Sequence, residues 1–143
     1  MATNLVYRND DKNNRVETLA ATHGPGVPVL SLGGAPAVTV TGSGDYTITD
    51  TTSYPPYTVS GIPAGGVGLS GKQVTLAFDG TWEFPEDDVT GITAATMTQG
   101  TKVYITSALA LTSTVGSNTL YGTVDIPPDY DTSRGMVPIK IGA

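Results

Sequence analysis

The stretch AGGVGLSGKQVTLAFDGTWEFP, residues 64–85, admits two incompatible readings. Gly66-x-Gly68-x-x-Gly71 spells a dinucleotide fingerprint, and Gly66-x-x-x-x-Gly71-Lys72 comes within one residue of a phosphate loop. Both motifs require a helix to begin at the glycines, where free backbone N–H groups and the positive end of the helix dipole meet a phosphate. The phosphate loop also needs a hydroxyl after its lysine to ligate magnesium, and Gln73 stands there. From Val74 onward the apolar residues fall on every second position. Val74, Leu76, Phe78, Trp82 and Phe84 take one side, and Thr75, Ala77, Asp79, Thr81 and Glu83 the other. That period predicts a strand with one buried face, fed by a glycine turn, and no nucleotide site or other cofactor.

A chain of 143 residues suits one domain. Its 23 threonines, 18 glycines and 10 prolines favour pleated strands and sharp turns over helices. The expected fold is mainly β, a small single-domain β-barrel or β-sandwich with one short helix and an N-terminal arm. A formal charge of −6 with only seven Lys and Arg argues against nucleic acid as a partner, because a sequence-independent grip needs a basic face to displace counterions. With no cysteine there are no disulfides or thiolate metal sites, so stability must come from burial or subunit association, as suits assembly in a cytoplasm. MATNLVYRNDDKNNR lacks the apolar run of a signal peptide, and no stretch approaches the ~18 apolar residues that span a bilayer. No membrane is expected as a partner.

Charge divides the chain. Residues 1–17 carry Arg8, Asp10, Asp11, Lys12, Arg15 and Glu17, whereas residues 18–71 carry only Asp45 and Asp50. Residues 1–17 therefore read as an N-terminal arm, anchored by Leu5, Val6 and Tyr7, and residues 18–143 as the β domain. Within the domain, Val29 to Leu32 form a short strand, and AVTVT and DYTIT alternate like a protruding hairpin around Gly42-Ser43-Gly44. EFPEDDVTGITAATMTQGTK predicts the helix, with Asp88 or Thr90 as N-cap and Gly100 as terminator. KVYIT, LALT and NTLYGTVDI follow as strands, the last with Leu120, Val124 and Ile126 opposite Tyr121, Thr123 and Asp125. In the closing MVPIKI, Pro138 cannot donate to a ladder, which predicts an edge strand or one paired on a single side.

Residues that could carry chemistry have plainer explanations beside them. Glu83, Glu86, Asp87 and Asp88 could share proton roles or collect a hard cation, yet acidic side chains at a helix start are favoured by its dipole. Asp129-Tyr-Asp131-Thr-Ser133-Arg-Gly135 repeats oxygens like half a calcium loop, but Arg134 stands where the turn wants glycine and Lys140 where glutamate belongs. An Asp- and Ser-rich turn accounts for it. His23, the only histidine, sits in THGPG and supports no Ser-His or Cys-His mechanism. No enzyme activity and no metal are expected. Tyr7, Tyr46, Tyr54 and Tyr57 could stack on sugars or anchor a partner, which keeps a carbohydrate- or host-surface-binding β module as an alternative function.

The order of segments in the second half carries a resemblance. Gly80, Trp82, Phe84 and Pro85 of FDGTWEFP, then Gln99, Gly100, Lys102, Val103 and Tyr104 of TQGTKVYIT, then Asn118, Leu120 and Gly122 of SNTLYGTV are similar to motifs of the small tailed-phage capsid decoration proteins, long catalogued as a domain of unknown function. In that family a segment like LEGVFELPK precedes QGDKVYWD, and NTLIGVA precedes a closing VRV-like strand. The likeness covers residues 64–143, with a weaker echo in 5–33. It departs where residues 35–60 lengthen the compact form and where KVYIT lacks the tryptophan and aspartate. A recombinase label carried by some relatives finds no ATP site here. The resemblance implies a homotrimer on the outer capsid surface of the virion, at threefold or quasi-threefold positions of the expanded head, bridging subunits of the major capsid protein. The capsid-binding candidates are Leu5, Val6, Tyr7, Arg8 and Arg15, with residues 5–7 adding a strand to a capsid subunit. The other reading of those three residues is a strand in the protein's own sheet, with RNDDKNN as a loop.

The strand pattern and Gln73 generate a direct expectation: isothermal titration with ATP or NAD shows no heat of binding at micromolar concentrations, and a micromolar affinity for either would overturn the strand reading.

Overall fold

The computed structural model describes residues 14–40 and 72–142 in full, and elsewhere the backbone of residues 5–7, 41, 46–50 and 57–61. The protein is mainly β, as expected, with almost no helix, and a seven-stranded sheet curls into a half-barrel. Its spatial order is β1 (Leu5–Tyr7), β8 (Thr81–Pro85), β13 (Met136–Ile141), β12 (Thr119–Val124), β10 (Lys102–Ile105), β11 (Leu111–Thr112) and β9 (Val89–Thr90). A second sheet runs β2 (Asn14–Thr18), β7 (Gln73–Ala77), β4 (Pro36–Thr41) and β3 (Pro28–Leu30). β5 (Tyr46–Asp50) and β6 (Tyr57–Gly61) pair only with each other.

The alternation from Val74 to Phe84 is two strands in two sheets. The chain turns a corner at Phe78–Gly80, where Gly80 takes φ +90° and the Trp82 indole N–H donates to the Asp79 carbonyl at 2.8 Å. Because the corner hands the strand from one sheet to the other, both sides of the pattern are buried. Val74 and Leu76 enter one core cluster, and Ala77, Trp82 and Phe84 enter another. Period-2 counting cannot detect this, since a strand covered on both faces has no polar face to mark it.

Two N-terminal strands flank the same corner. Leu5 and Tyr7 pair antiparallel with Trp82 and Thr81, and Asn14 through Thr18 pair with Ala77 through Gln73. Residues 5–7 thus lie in the protein's own sheet, and the expected boundary at residue 17 falls inside β2. This corrects the separate arm: the segment is a strap laid along the strand that joins the sheets.

The larger core fills the half-barrel with Trp82, Phe84, Val103, Ile105, Tyr121, Val124, Val137 and Ile139, closed from the second sheet by Val38 and Ala77. The smaller core, Leu19, Val29, Ala37, Val74 and Leu76, lies on the far face of the second sheet, so β4 and β7 are buried on both sides. β4 therefore belongs to the frame, whereas β5 and β6, the rest of the range expected as an insertion at 35–60, pair only with each other. The hairpin expected around Gly42–Gly44 is also replaced: β4 pairs with β3 and β7, while β5 pairs with β6.

The faces of β12 differ from the expected alternation. Opposite Val103 and Tyr104 the register slips between Gly122 and Leu120, a bulge that sets two residues of β12 against one of β10. It turns Tyr121 fully inward and leaves Leu120 38% exposed. Inside the core the Tyr121 ring meets Phe84 edge to face at 6.2 Å, and its hydroxyl donates to the Ala37 carbonyl of the second sheet at 2.8 Å. Burial drives the phenol far above its ordinary pKa, so it stays a donor. Gly122 has no alternative side chain, because a Cβ there would strike the Lys140 carbonyl on β13.

Two further expectations are corrected. No helix spans 88–100: a single 3-10 turn occupies Glu86–Asp88, capped by Pro85 without a side-chain hydrogen bond, and the chain continues as β9. Gly91 explains this, since its φ of +86° cannot continue a right-handed helix, and a Cβ there would strike the Ser113 hydroxyl. Gly100, expected to terminate that helix, instead takes φ +83° in the turn before β10. Nor is β13 an edge, because it pairs with β8 on one side and β12 on the other. The Pro138 carbonyl accepts from the Asp125 N–H at 3.0 Å, so the proline nitrogen faces the same side, beyond the last β12–β13 ladder pair at Val124 and Ile139. The missing donor falls where β12 has ended.

Tyr121→Phe is expected to lower unfolding free energy by about 1–3 kcal/mol in a urea titration, because it orphans a buried carbonyl. Gly122→Ala is expected to lose at least as much, through separation of β12 from β13.

Candidate functional site

Three carboxylates are bound into the frame, two of them, Glu83 and Glu86, singled out from sequence. Glu83, in the middle of β8, accepts two hydrogen bonds from the Arg134 guanidinium, at 2.9 and 2.7 Å, and one from the Tyr130 hydroxyl at 2.7 Å. Glu86 leaves the 3-10 turn to accept the Ala94 N–H at 2.8 Å, fixing the segment after Gly91. Asp125 receives the buried Thr81 hydroxyl at 2.7 Å and the Gln99 amide at 3.0 Å. Gln99 in turn accepts the Ile126 N–H at 2.6 Å. Asp87 and Asp88 stay exposed, as do Asp129 and Asp131.

The Glu83 group has a shape set by local chain chemistry. Pro127-Pro128-Asp129-Tyr130 closes a turn with the Tyr130 N–H on the Pro127 carbonyl and Asp129 at φ +59°, a conformation that aspartate tolerates. Asp131 caps the one-turn helix Thr132–Arg134 by accepting the Ser133 N–H at 3.0 Å, and Gly135 ends it at φ +66°. Arg134 is thereby brought to Glu83, its guanidinium 5.3 Å from the Tyr130 ring centre. The expected Asp- and Ser-rich turn is present, and among the described residues no three His, Cys, Asp or Glu side chains gather to hold a metal.

Burial pushes the Glu83 carboxyl up, but the hydrogen bonds from Arg134 and Tyr130 and the guanidinium charge outweigh it and hold the group below its ordinary range. Tyr130 is displaced upward, first by burial and then by its bond to the carboxylate. All of these groups satisfy one another, which makes the arrangement a clamp of the 127–135 loop onto β8. Sequence could not reveal it: Glu83 and Arg134 are 51 residues apart.

A cleft of about 420 Å³ opens between the free ends of the two sheets. Val27, Pro28, Phe84 and Leu109 supply apolar walls, and Asp87 and Asp88 one lip. Leu109 holds φ +63° in the β10–β11 hairpin while its side chain packs against both cores. The left-handed backbone costs roughly 1–2 kcal/mol there, offset by burial. The arrangement presents a surface with shape and charge but no paired acid and base.

Leu5, Val6 and Tyr7 lie in β1 and Arg15 in β2, at the edges of different sheets; Arg8 falls outside the described residues. Arg15 sits 4.7 Å over the Phe78 ring and pairs with Glu17 at 2.7 Å, and the Glu17 carboxylate also accepts the Leu32 N–H at 2.9 Å. The candidates thus follow one strap and do not converge on a pocket. His23 lies partly buried in the β2–β3 connection, and Gln73 begins a strand as expected, with Gly66–Gly71 outside the described residues. Tyr46 and Tyr57 bound β5 and β6, and Tyr54 falls outside the described residues. Among the described residues no helix is long and apolar enough to cross a membrane.

Comparison of the chain with protein-family models, curated proteins and solved structures finds no match.

Because the folded Glu83 carboxyl titrates below its ordinary range, its contribution is present at neutral pH and is lost as pH falls through that range to the lower folded value. Glu83→Gln is expected to lower Tm by a few degrees at neutral pH. The gap to the parent protein should close toward about pH 3 in calorimetric scans.

Proposed function

We propose that the protein decorates the outer surface of an expanded tailed-phage head as a homotrimer, reinforcing contacts between major capsid subunits. The observation that carries this reading is where the family-like residues fall. Gly80 makes the corner between the sheets, Trp82 and Phe84 fill the core, and Gly100 ends the segment before β10. Val103 faces the bulge, and Gly122 has no room for a Cβ. These positions serve core packing and backbone geometry, so the likeness at them is a likeness of frame, and a shared frame is what a family of shell-binding proteins would have.

The character of the rest agrees with a binding role. Glu83, Glu86 and Asp125 serve architecture, and the strands that carry the candidate contact residues lie at the margins of the two sheets. An edge strand offers main-chain groups that a neighbouring chain can extend. The trimer rests on the resemblance alone, since the central position of β13 removes Pro138 as an argument for it.

Mixed with undecorated expanded capsids of its own phage, the protein is expected to co-sediment with them to saturation and to be absent from pellets of unexpanded shells. Sedimentation equilibrium is expected to give a multiple of three protomers. Failure to pellet with expanded capsids would overturn the decoration role.

A further inference from the structure

Four strands end the two larger sheets, and three of them carry features that discourage further pairing. β1 has a register irregularity, β3 begins with Pro28, and β9 has two residues. Bulges, proline and shortness are the usual means of blunting an edge. β2 has none of them: Asn14-Arg15-Val16-Glu17-Thr18 pairs regularly with β7 over five residues.

The hydrogen-bond phase of β2 follows from its end. The Leu19 N–H donates to the Lys72 carbonyl at 3.1 Å, so Leu19, Glu17 and Arg15 direct their main-chain groups to β7. Asn14, Val16 and Thr18 direct theirs away, where among the described residues no strand lies. Val16, at the centre, is 45% exposed.

The geometry points to a second copy of this chain as the occupant of that edge, with the two β2 strands antiparallel about a twofold axis through Val16. The strand is self-complementary in this register. Asn14 meets Thr18 of the other copy, Val16 meets Val16, and Arg15 meets Glu17, which in turn meets Arg15. The outward N–H and C=O groups of Val16 and of the Asn14–Thr18 pairs then exchange hydrogen bonds. Arg15 and Glu17 fall on the closer, non-hydrogen-bonded pairs, about 4.5 Å between Cα atoms. Opposite charges on directly facing residues favour the pair, and any shift by two residues breaks the match and sets like charge against like. A parallel arrangement in register would place Arg15 beside Arg15, which selects the antiparallel one.

One short strand pair buries little area, so the contact is weak in solution and gains from crowding of copies on a surface. It stands apart from the capsid reading: it is measured without capsids, and failure of either leaves the other in place.

Val16→Pro is the decisive variant. The Val16 N–H points away from β7, so proline removes the central donor of the new pair and no bond of the protein's own ladder. In sedimentation velocity at increasing concentration, the parent protein is expected to approach twice the mass of Val16→Pro, whose self-association should be weaker by about tenfold or more. Circular dichroism checks that the variant is folded. Arg15→Glu and Glu17→Arg, each placing like charges across the axis, should both associate poorly alone, yet recover association when mixed. A role confined within one chain cannot be restored by mixing. Val16→Cys, in a chain with no other cysteine, should cross-link with itself faster than Val115→Cys. Equal masses for the parent protein and a folded Val16→Pro, no gain on mixing, or equal cross-linking of the two cysteine variants would overturn the proposal.

Discussion

The hydrogen bond from the Tyr121 hydroxyl to the Ala37 carbonyl fixes how the two sheets sit on each other. It is the polar contact at the centre of an otherwise apolar junction between Val38 and Ala77 on one side and the half-barrel core on the other. A buried carbonyl without a donor costs more than the net value of one hydrogen bond, so the register between sheets is held by a penalty as much as by an attraction. The bond depends in turn on the β12 bulge, which points Tyr121 inward, and the bulge brings Gly122 close against β13. One glycine, packed against β13, thereby supports a contact between sheets.

The same economy governs the carboxylates. Glu83 ties the 127–135 loop to β8, Glu86 holds the segment after Gly91, and Asp125 closes the end of β12 against Thr81 and Gln99. Each replaces helix-based support with a side chain that satisfies loop donors. In a fold with almost no helix, long connections have few internal hydrogen bonds of their own, and acceptors must come from neighbouring strands.

Fold class was legible in the threonine, glycine and proline content and in the alternation around Val74, Trp82 and Phe84, because period and turn chemistry are local. KVYIT, NTLYGTV and MVPIKI likewise announced strands. What sequence missed depended on long-range geometry. The corner at Asp79-Gly80 split one pattern between two sheets. The bulge reversed Leu120 and Tyr121. Pro138 was read as an edge signal, although a central strand accepts proline where its neighbour has already ended. Of the candidate contact residues, the sequence placed Leu5 to Tyr7 in a strand but could not say which sheet would receive them. The Glu83–Arg134 clamp, closed across 51 residues, left no local trace.

Edges connect these observations to association. The corner between the sheets carries β1 on β8 and β2 on β7, each the outermost strand of its sheet, so one strap presents a margin of both sheets. The strap's first half, β1, is irregular, and its second half, β2, is regular and alternates charge about Val16. Charge on an edge usually repels a second strand. Here Arg15 and Glu17 already neutralise each other within the strand and match their own reverse, so the device that protects an edge against arbitrary partners admits one in register. The fold thus separates two kinds of surface: a core pinned by Tyr121, which defines the subunit, and a charged edge that tolerates few neighbours and selects among them.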